Sequence, residues 1–556
     1  MSGSKSEFPI DDGDVVSSNE EKIPAEIVSS NSTSRISSEP AASAMGKEKT
    51  LGKGMLLGTL AFVTSAAVLV IEIVAARLLA PYVGVTLETY TAIIATVLAG
   101  ISGGAWLGGR LADRVAPLRA LPPVLIVGGL LTLLSLPIVR IMGGRLGTTT
   151  PLSVTTLTAA AFLAPAIVLS MVTPLLIKQS VVTLETTGRT VGSLSALSTA
   201  GALAGSITTG FVLVPRFRSR VILGIVGALI IVLGVLVWAA VSSKLGKGTS
   251  TGVDGDGARK LGSVALGLSV SIGGGAATAF SDWRDPCTME SSYFCASVIE
   301  QPGSSRKDLI LDDVFHSEVD LEDPMYLGFD YIRAFNVAID AWKPEPAAIR
   351  ALHIGGGGFT MPRELKATRP GSNSLVLEID PKLVKFDQQQ LGLELASDLR
   401  TQDGDGRMGL RQQKSNSYDL ILGDAFGGQA VPWHLTTIEV ARDIKRVLTS
   451  DGLYVLNIID SPPSKFARAE IATVKAVFNY VALLSYPEAI QGNVGANFIV
   501  VASSAPLPLA KIKSALAGQP DLNMISVEGP ALSAFVGKAR VLTDELAPVA
   551  QLITIG

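Results

Sequence analysis

At 556 residues, with 48% hydrophobic residues and a mean hydropathy of +0.42, the chain is too long for one domain and too apolar to be wholly water-soluble. A formal net charge of −3 leaves no basic footprint for nucleic acid. Two cysteines exclude a disulfide framework or a cysteine-rich zinc site while allowing one bridge, and the three histidines, His316, His353 and His434, lack ligand spacing, so no metal is expected.

Residues 1–50 are rich in Ser, Glu, Asp and Lys and cannot bury enough apolar surface to offset their ordering entropy, so a disordered tail is expected. The stretch is long, mixed in charge and without an apolar core, unlike a signal peptide. Residues 55–280 then form a series of apolar runs of about 20 residues, each long enough to cross a bilayer as a helix. They begin near Met55, Thr89, Leu121, Leu152, Val191, Val221 and Leu261, the last interrupted by Gly273 to Gly275. These runs predict a multi-pass protein of the cell membrane with six or seven spans, the lipid bilayer its first partner. Small residues such as Gly103, Gly104, Gly108, Gly201 and Gly205 suit close helix packing.

Charge inside lipid is costly, which singles out Glu72 and Arg77 in the first span. Five residues separate them, about 140° round a helix, so each is expected to find partners elsewhere. Gly108-Gly109-Arg110-Leu111-Ala112-Asp113-Arg114, at the end of the second span, resembles the loop between the second and third helices of major facilitator transporters; a positive-inside anchor explains its arginines equally well. Lys47, Lys49, Lys53, Arg110, Arg114, Arg119, Lys178, Arg189, Lys244, Lys247, Arg259 and Lys260 fall on the amino-terminal side of the bundle, against Arg140, Arg145, Arg216, Arg218 and Arg220 on the other, so the amino terminus is expected inside. Six spans put the C-terminal domain in the cytoplasm and seven put it outside. The sequence leaves that side open.

Residues 283–325 read as a small β-domain: SSYFCASVIE and DLILDDVFHSEVD have strand character and flank the turn Gln301-Pro302-Gly303-Ser304-Ser305. Cys287 and Cys295 are either a local bridge on an oxidising face or two buried thiols. From 330 to 556 helices alternate with strands (LHIG, SLVLEID, YDLILGD, GLYVLNIID, NFIVVAS), as in a parallel, doubly wound α/β sheet, the clearest helices being Leu435 to Leu448 and Lys465 to Tyr480. Within it Leu352 to Ile354 lead into Gly355, Gly356, Gly357 and Gly358, a turn where backbone can approach a ligand, then into a helix and a strand ending at Glu378. A carboxylate about 20 residues beyond the glycines is placed to accept hydrogen bonds from ribose hydroxyls. Glu378, Asp380, Asp405, Asp424 and Asp460 all fall at the carboxyl edge of the expected sheet, where such folds bind ligands.

The order of these motifs from about Cys287 to Ser503 resembles the spermidine synthases, the polyamine aminopropyltransferases, in which a small β-domain precedes a Rossmann-like domain of the class I methyltransferase type. Leu311-Asp312 with the acidic run to Asp323-Pro324 resembles the exit of that β-domain, His353 to Glu364 its glycine loop, and Leu377 to Asp380 its ribose-binding strand. Asp405-Gly406 resembles its adenine-contacting pair, Tyr418 to Asp424 the strand that presents its catalytic aspartate, and the bundle containing EIVAARLLAPYVG its multi-span variants. The resemblance implies an adenosyl sulfonium donor, decarboxylated S-adenosylmethionine or S-adenosylmethionine itself, held by Gly355, Gly356, Gly357, Glu378, Asp380, Asp405 and Gly406. It implies Asp424 as catalytic base and an amine acceptor contacting His316, Phe426 and Trp433. Three departures bear on the chemistry: Gly358 stands where the family has Asp, Ala425-Phe426-Gly427-Gly428 replaces a stretch bearing a second acid, and His316 replaces a glutamine. Three readings remain: an aminopropyltransferase, a methyltransferase on the same fold, and a transporter-like membrane protein with a catalytically degenerate nucleoside- or polyamine-binding domain. Acceptor and homo-oligomeric state stay open.

Overall fold

The computed structural model describes residues 41–84, 87–146, 150–181, 187–245, 284–426 and 431–554. Most of the expected tail and the apolar run from Leu261 therefore lie outside the described residues, while helical backbone already begins at Ala41. Six described helices are long and apolar enough to cross a membrane: α1 Gly54–Val83, α2 Thr89–Arg114, α3 Pro117–Arg145, α4 Pro151–Ser180, α5 Thr187–Arg216 and α6 Ser219–Ser242. They run close together where glycine removes the side chain. A Cβ at Gly104 would lie 2.2 Å from the carbonyl oxygen of Ile167, and one at Gly201 would lie 2.1 Å from that of Phe62, which seats α2 on α4 and α5 on α1. Gly103, expected to serve the same end, makes only ordinary contact with Ile167.

The two ends of the bundle differ. At the end that holds the amino terminus of α1, Asp113 pairs with Lys178 at 3.0 Å on the surface. At the opposite end the bundle grips the rest of the chain through charge. Arg77 reaches Glu290, Arg140 and Arg220 reach Asp285 at 3.4 and 2.9 Å, and Lys382 donates to the carbonyl of Pro215 at 3.1 Å. The charge at Arg77 thus has its partner at an interface, not at Glu72.

Past this junction β1 Met289–Glu290, β2 Cys295–Glu300, β3 Arg306–Leu311 and β4 Val314–Asp320 form an antiparallel sheet in sequential order. Cys287 and Cys295 are joined by a disulfide, so of the two expectations for this pair the bridge is the one seen.

The larger domain is an eight-stranded sheet ordered β12-β10-β11-β9-β8-β5-β6-β7, comprising β5 Arg350–Ile354, β6 Asn373–Glu378, β7 Leu399–Asp403, β8 Tyr418–Gly423, β9 Leu448–Asp460, β10 Tyr480–Ser485, β11 Ala496–Ser503 and β12 Ile525–Glu528. Period-two alternation sorts its side chains. Leu352, Ile354 and Ile421 pack beneath α11 (Ile438–Val447) and α12 (Lys465–Lys475), whereas Leu420 and Leu422 pack beneath α7 (Asp330–Trp342). The sheet is mixed, which corrects the expectation of a purely parallel one. β5 to β9 run parallel, but β11 pairs antiparallel with β9 and β10, and β12 pairs antiparallel with β10. The reason lies in the connection from Ser485 to Ala496, which is too short for the crossover that a parallel neighbour needs. β7, β10 and β12 escape the sequence pattern: LRTQD is polar and ISVE short, while YVALLS directly follows the α12 pattern, so the helix ends at Lys475 and not at Tyr480.

Chain order reverses at β5, which has β6 on one side and β8 on the other, and a crevice opens there at the strands' carboxyl ends. The bundle packing makes a direct test. Gly201→Val should cost about 1–3 kcal/mol through overpacking against the Phe62 backbone and lower the melting temperature of the full chain in detergent. Gly109→Ala, with nothing within 4 Å of the added Cβ, should leave the melting temperature unchanged.

Candidate functional site

Gly355 leaves β5 with φ +98°, and a Cβ there would lie 2.3 Å from the carbonyl oxygen of Asp424 at the end of β8, so only glycine lets the two strand ends converge. The loop then folds over Glu378. Gly356 N–H donates to one oxygen of this buried carboxylate at 2.8 Å and Asp380 N–H to the other at 2.9 Å. Burial raises the Glu378 pKa, and the two amides work against that rise. These amides fix the position of the carboxylate.

Asp405 follows β7 and caps α10 (Gly406–Gln412), accepting from Met408 N–H at 2.9 Å, while its second oxygen lies 2.8 Å from His434 Nε2. Burial would raise its pKa, but the Met408 amide and His434 together hold it below the usual carboxylate range. Asp424 is tethered at both oxygens. Tyr331, on the first turn of α7, donates its hydroxyl at 3.0 Å, and Asn457 of β9 donates at 3.0 Å while accepting from Asn497 at 2.9 Å. Burial outweighs both bonds and lifts Asp424 to about 6. Such a carboxylate is mostly ionised at neutral pH and is a better proton acceptor than an exposed aspartate.

One pocket gathers most of the residues singled out in the sequence: Gly355, Gly356, Gly357, Glu378, Asp405, Gly406, Asp424, His316 and Phe426 all line it. Two are elsewhere. Asp380 is 1% exposed and caps α9 (Pro381–Gln390) by accepting from Lys382 N–H at 3.0 Å, and Trp433 is 51% exposed, edge-on to His434, beyond the lining. Asp460, from the same sheet edge, accepts from the backbone amides of Ser461, Ala467 and Thr554 and serves the fold. Burial lowers His316 to about 4, so it faces the pocket as a neutral imidazole. Gly358 gives its N–H to the Ser317 hydroxyl at 3.0 Å, and a Cβ there would meet the Ser317 side chain at 2.8 Å, so there is no room for the aspartate of the resembled family.

Phe294, Leu311, Leu383 and His434 in the lining, and Tyr331 and Asn457 behind Asp424, are residues that sequence reasoning misses. Asn457 leaves a signal, because a lone amide inside the apolar strand GLYVLNIID needs a buried partner. Tyr331 leaves none, since it reads as one more aromatic on an amphipathic helix. Among the described residues no three His, Cys, Asp or Glu side chains are grouped to hold a metal ion.

Among the described residues the architecture is thus six long apolar helices, a small antiparallel sheet and an α/β domain with acids at the carboxyl ends of adjacent strands. Over 231 residues, 40% of its length, the chain is 30% identical to the polyamine aminopropyltransferase of Vibrio vulnificus and covers 74% of that protein. The enzyme of the same name from Chromobacterium violaceum is 28% identical over 160 residues, 60% of its own length. A probable spermidine synthase from Corynebacterium glutamicum is similar at 24% identity and a TM-score of 0.43, over 45% of this chain and 94% of that one. No protein-family model matches. Through its C-terminal part, the chain belongs to the polyamine aminopropyltransferase family.

The tether at Asp424 carries a prediction. Tyr331→Phe deletes a hydrogen bond that favours the ionised form, so the pKa of Asp424 should move upward from about 6. Carbon-13 titration of labelled aspartate in the purified chain reads the change, and an unchanged or lower value would contradict the assigned tether.

Proposed function

We propose that the C-terminal domain binds decarboxylated S-adenosylmethionine and transfers its aminopropyl group to an amine. Support comes from one arrangement: a ribose-competent carboxylate at Glu378, locked by the glycine loop, beside Asp405 and across Gly355 from the tethered Asp424. In this reading Glu378 takes the ribose hydroxyls, Asp405 with His434 faces the base, and Gly355 to Gly357 allow close approach. Asp424 removes a proton from the acceptor ammonium. The freed nitrogen lone pair attacks the carbon beside the sulfonium, the carbon–sulfur bond breaks with its electron pair going to sulfur, and methylthioadenosine leaves neutral.

The acceptor is bulkier or less charged than putrescine. A diamine must keep one ammonium ionised and paired while losing a proton from the other, and an unpaired buried charge costs several kcal/mol. Here position 358 is closed by Ser317, Ala425 and Phe426 offer no charge, and His316 is neutral. Phe426 and His316 contact the acceptor within the pocket. S-adenosylmethionine as donor would imply methyl transfer, and a donor competition assay separates the two. The bundle has its own cavity of about 430 Å³ between α1, α2, α4 and α5, lined by hydroxyls including Thr64, Ser170 and Ser195. No carboxylate is among its described lining residues, so it does not favour passage of a polyamine cation.

The domain stands outside, as in the seven-span reading of the sequence. It docks on the end of the bundle opposite the amino terminus of α1, because Arg77, its anchor in α1, lies 23 residues or about 35 Å of helix from Gly54. Cys287–Cys295 at that junction belongs to an oxidising compartment, and the bias of loop lysines and arginines puts the far end inside. Both ligands then reach the site from the outer face.

Two experiments test these statements. Calorimetry on the full chain in detergent should show methylthioadenosine binding that Glu378→Ala weakens about tenfold or more, from loss of charge-assisted bonds worth roughly 1.5–3 kcal/mol each. Equal affinities would sink the assignment of Glu378, and Asp424→Asn with full transfer activity would sink that of the base. Separately, Ser304→Cys in the exposed β2–β3 turn should react with an impermeant maleimide on intact cells; reaction only after lysis would place the domain in the cytoplasm.

A further inference from the structure

The Cys287–Cys295 disulfide closes a loop whose two sides face different parts of the molecule. On one side Glu290 accepts from Arg77 Nε at 3.2 Å and Nη2 at 3.1 Å, and from Ser219, both through its N–H at 2.9 Å and through its hydroxyl. Arg77 also donates to the carbonyl of Ser291 and, at 2.9 Å, to that of Ser292. On the other side Phe294 lines the ligand pocket with Leu311 and His316.

Ser291 ties the sides together. Its N–H donates to the Phe294 carbonyl at 2.9 Å, and its hydroxyl oxygen accepts from the N–H groups of Tyr293 at 3.0 Å and Phe294 at 2.9 Å. Cys295 N–H then reaches the Asp312 carboxylate at 3.0 Å. A second cavity, of about 100 Å³, lies between Arg77, Tyr90, Glu290 and Asp312, and Phe294 borders both it and the pocket. The ring therefore sits where its position depends on the turn behind it; the β1–β2 pairing, Ser219 on Glu290 and Arg218 on the Thr288 carbonyl hold the base of that turn, and the Arg77 guanidinium holds the carbonyls of Ser291 and Ser292 within it. Only arginine presents a rigid fork of donors able to serve a carboxylate and two carbonyls at once. Lys382 on Pro215 and the arginines on Asp285 already attach the domain, so a three-acceptor grip on this loop does more than anchor it.

We infer that Arg77, inside the first transmembrane helix, is a positioning residue of the ligand site: it sets the Phe294 wall through the 287–295 loop, which makes the bundle part of the site. The identity of the ligand rests on the proposed adenosyl-binding function; the mechanical coupling does not.

Hydrogen exchange on the full chain without ligand tests the coupling directly. Arg77→Gln should raise exchange at Tyr293, Phe294 and Cys295 by about tenfold or more while leaving the α11 amides unchanged, and Arg77→Lys, which keeps charge but loses the fork, should fall between. Methylthioadenosine should bind Arg77→Gln about fivefold more weakly, and in a Phe294→Ala background the same change should add less than about twofold, since coupled sites are not additive. Unchanged exchange in the loop overturns the inference whether or not methylthioadenosine binds, and losses that simply multiply overturn it as well. Absence of wild-type binding with the exchange result intact would instead remove the adenosyl reading and leave the coupling standing.

Discussion

Where β5 and β8 end, the backbones of Gly355 and Asp424 pass so closely that a side chain on the first would strike the carbonyl of the second. That approach puts the glycine loop, the end of β6 and the Asp424 carboxylate around a single crevice. Gly355 N–H donates to Leu377 O at 3.0 Å and Asp424 N–H to Ile354 O at 3.0 Å, so three strand ends share one hydrogen-bonded junction. The consequence is chemical. Glu378 is held by the loop that donates to it, and Asp424 by the tyrosine and asparagine that orient it, so both carboxylates have fixed positions at the crevice.

Burial decides what these acids can do. Asp424 is lifted to about 6 because its surroundings are poorer than water at solvating charge, and the two tethers only partly restore the ionised form. Asp405, with an amide and an imidazole on its oxygens, moves the other way. Two aspartates in one pocket are thereby moved in opposite directions by environment alone.

The junction with the membrane follows the same logic of partnered charge. Asp285 and Glu290 are largely covered and would be costly alone, yet Asp285 meets Arg140 and Arg220, and Glu290 meets Arg77, all near the ends of the apolar helices. Such pairs contribute little net stability but strongly disfavour any arrangement that leaves a member unpaired, so they serve to fix how the domain sits on the bundle.

Much of this architecture is legible in the chain itself. The six described spans stand out because lipid tolerates little but long apolar helices, and the glycine loop with Glu378 stands out because the turn and the carboxylate have few other uses at that spacing. Strand polarity is not legible. YVALLS and NFIVVAS look alike whether they pair parallel or antiparallel, and only the short chain between them decides. Asp380 and Asp460 look like site residues because strand-end acids cap helices and bind ligands with the same oxygen atoms. Phe294 and Arg77 cannot be connected at all from sequence, being more than two hundred residues apart and joined only through the folded loop. A structure of the full chain soaked with methylthioadenosine is the most direct test of the central claim. The account requires the ribose hydroxyls on Glu378, the base against Asp405 and the thioether turned toward Asp424; ligand density elsewhere, or in the pocket with the ribose away from Glu378, would contradict it.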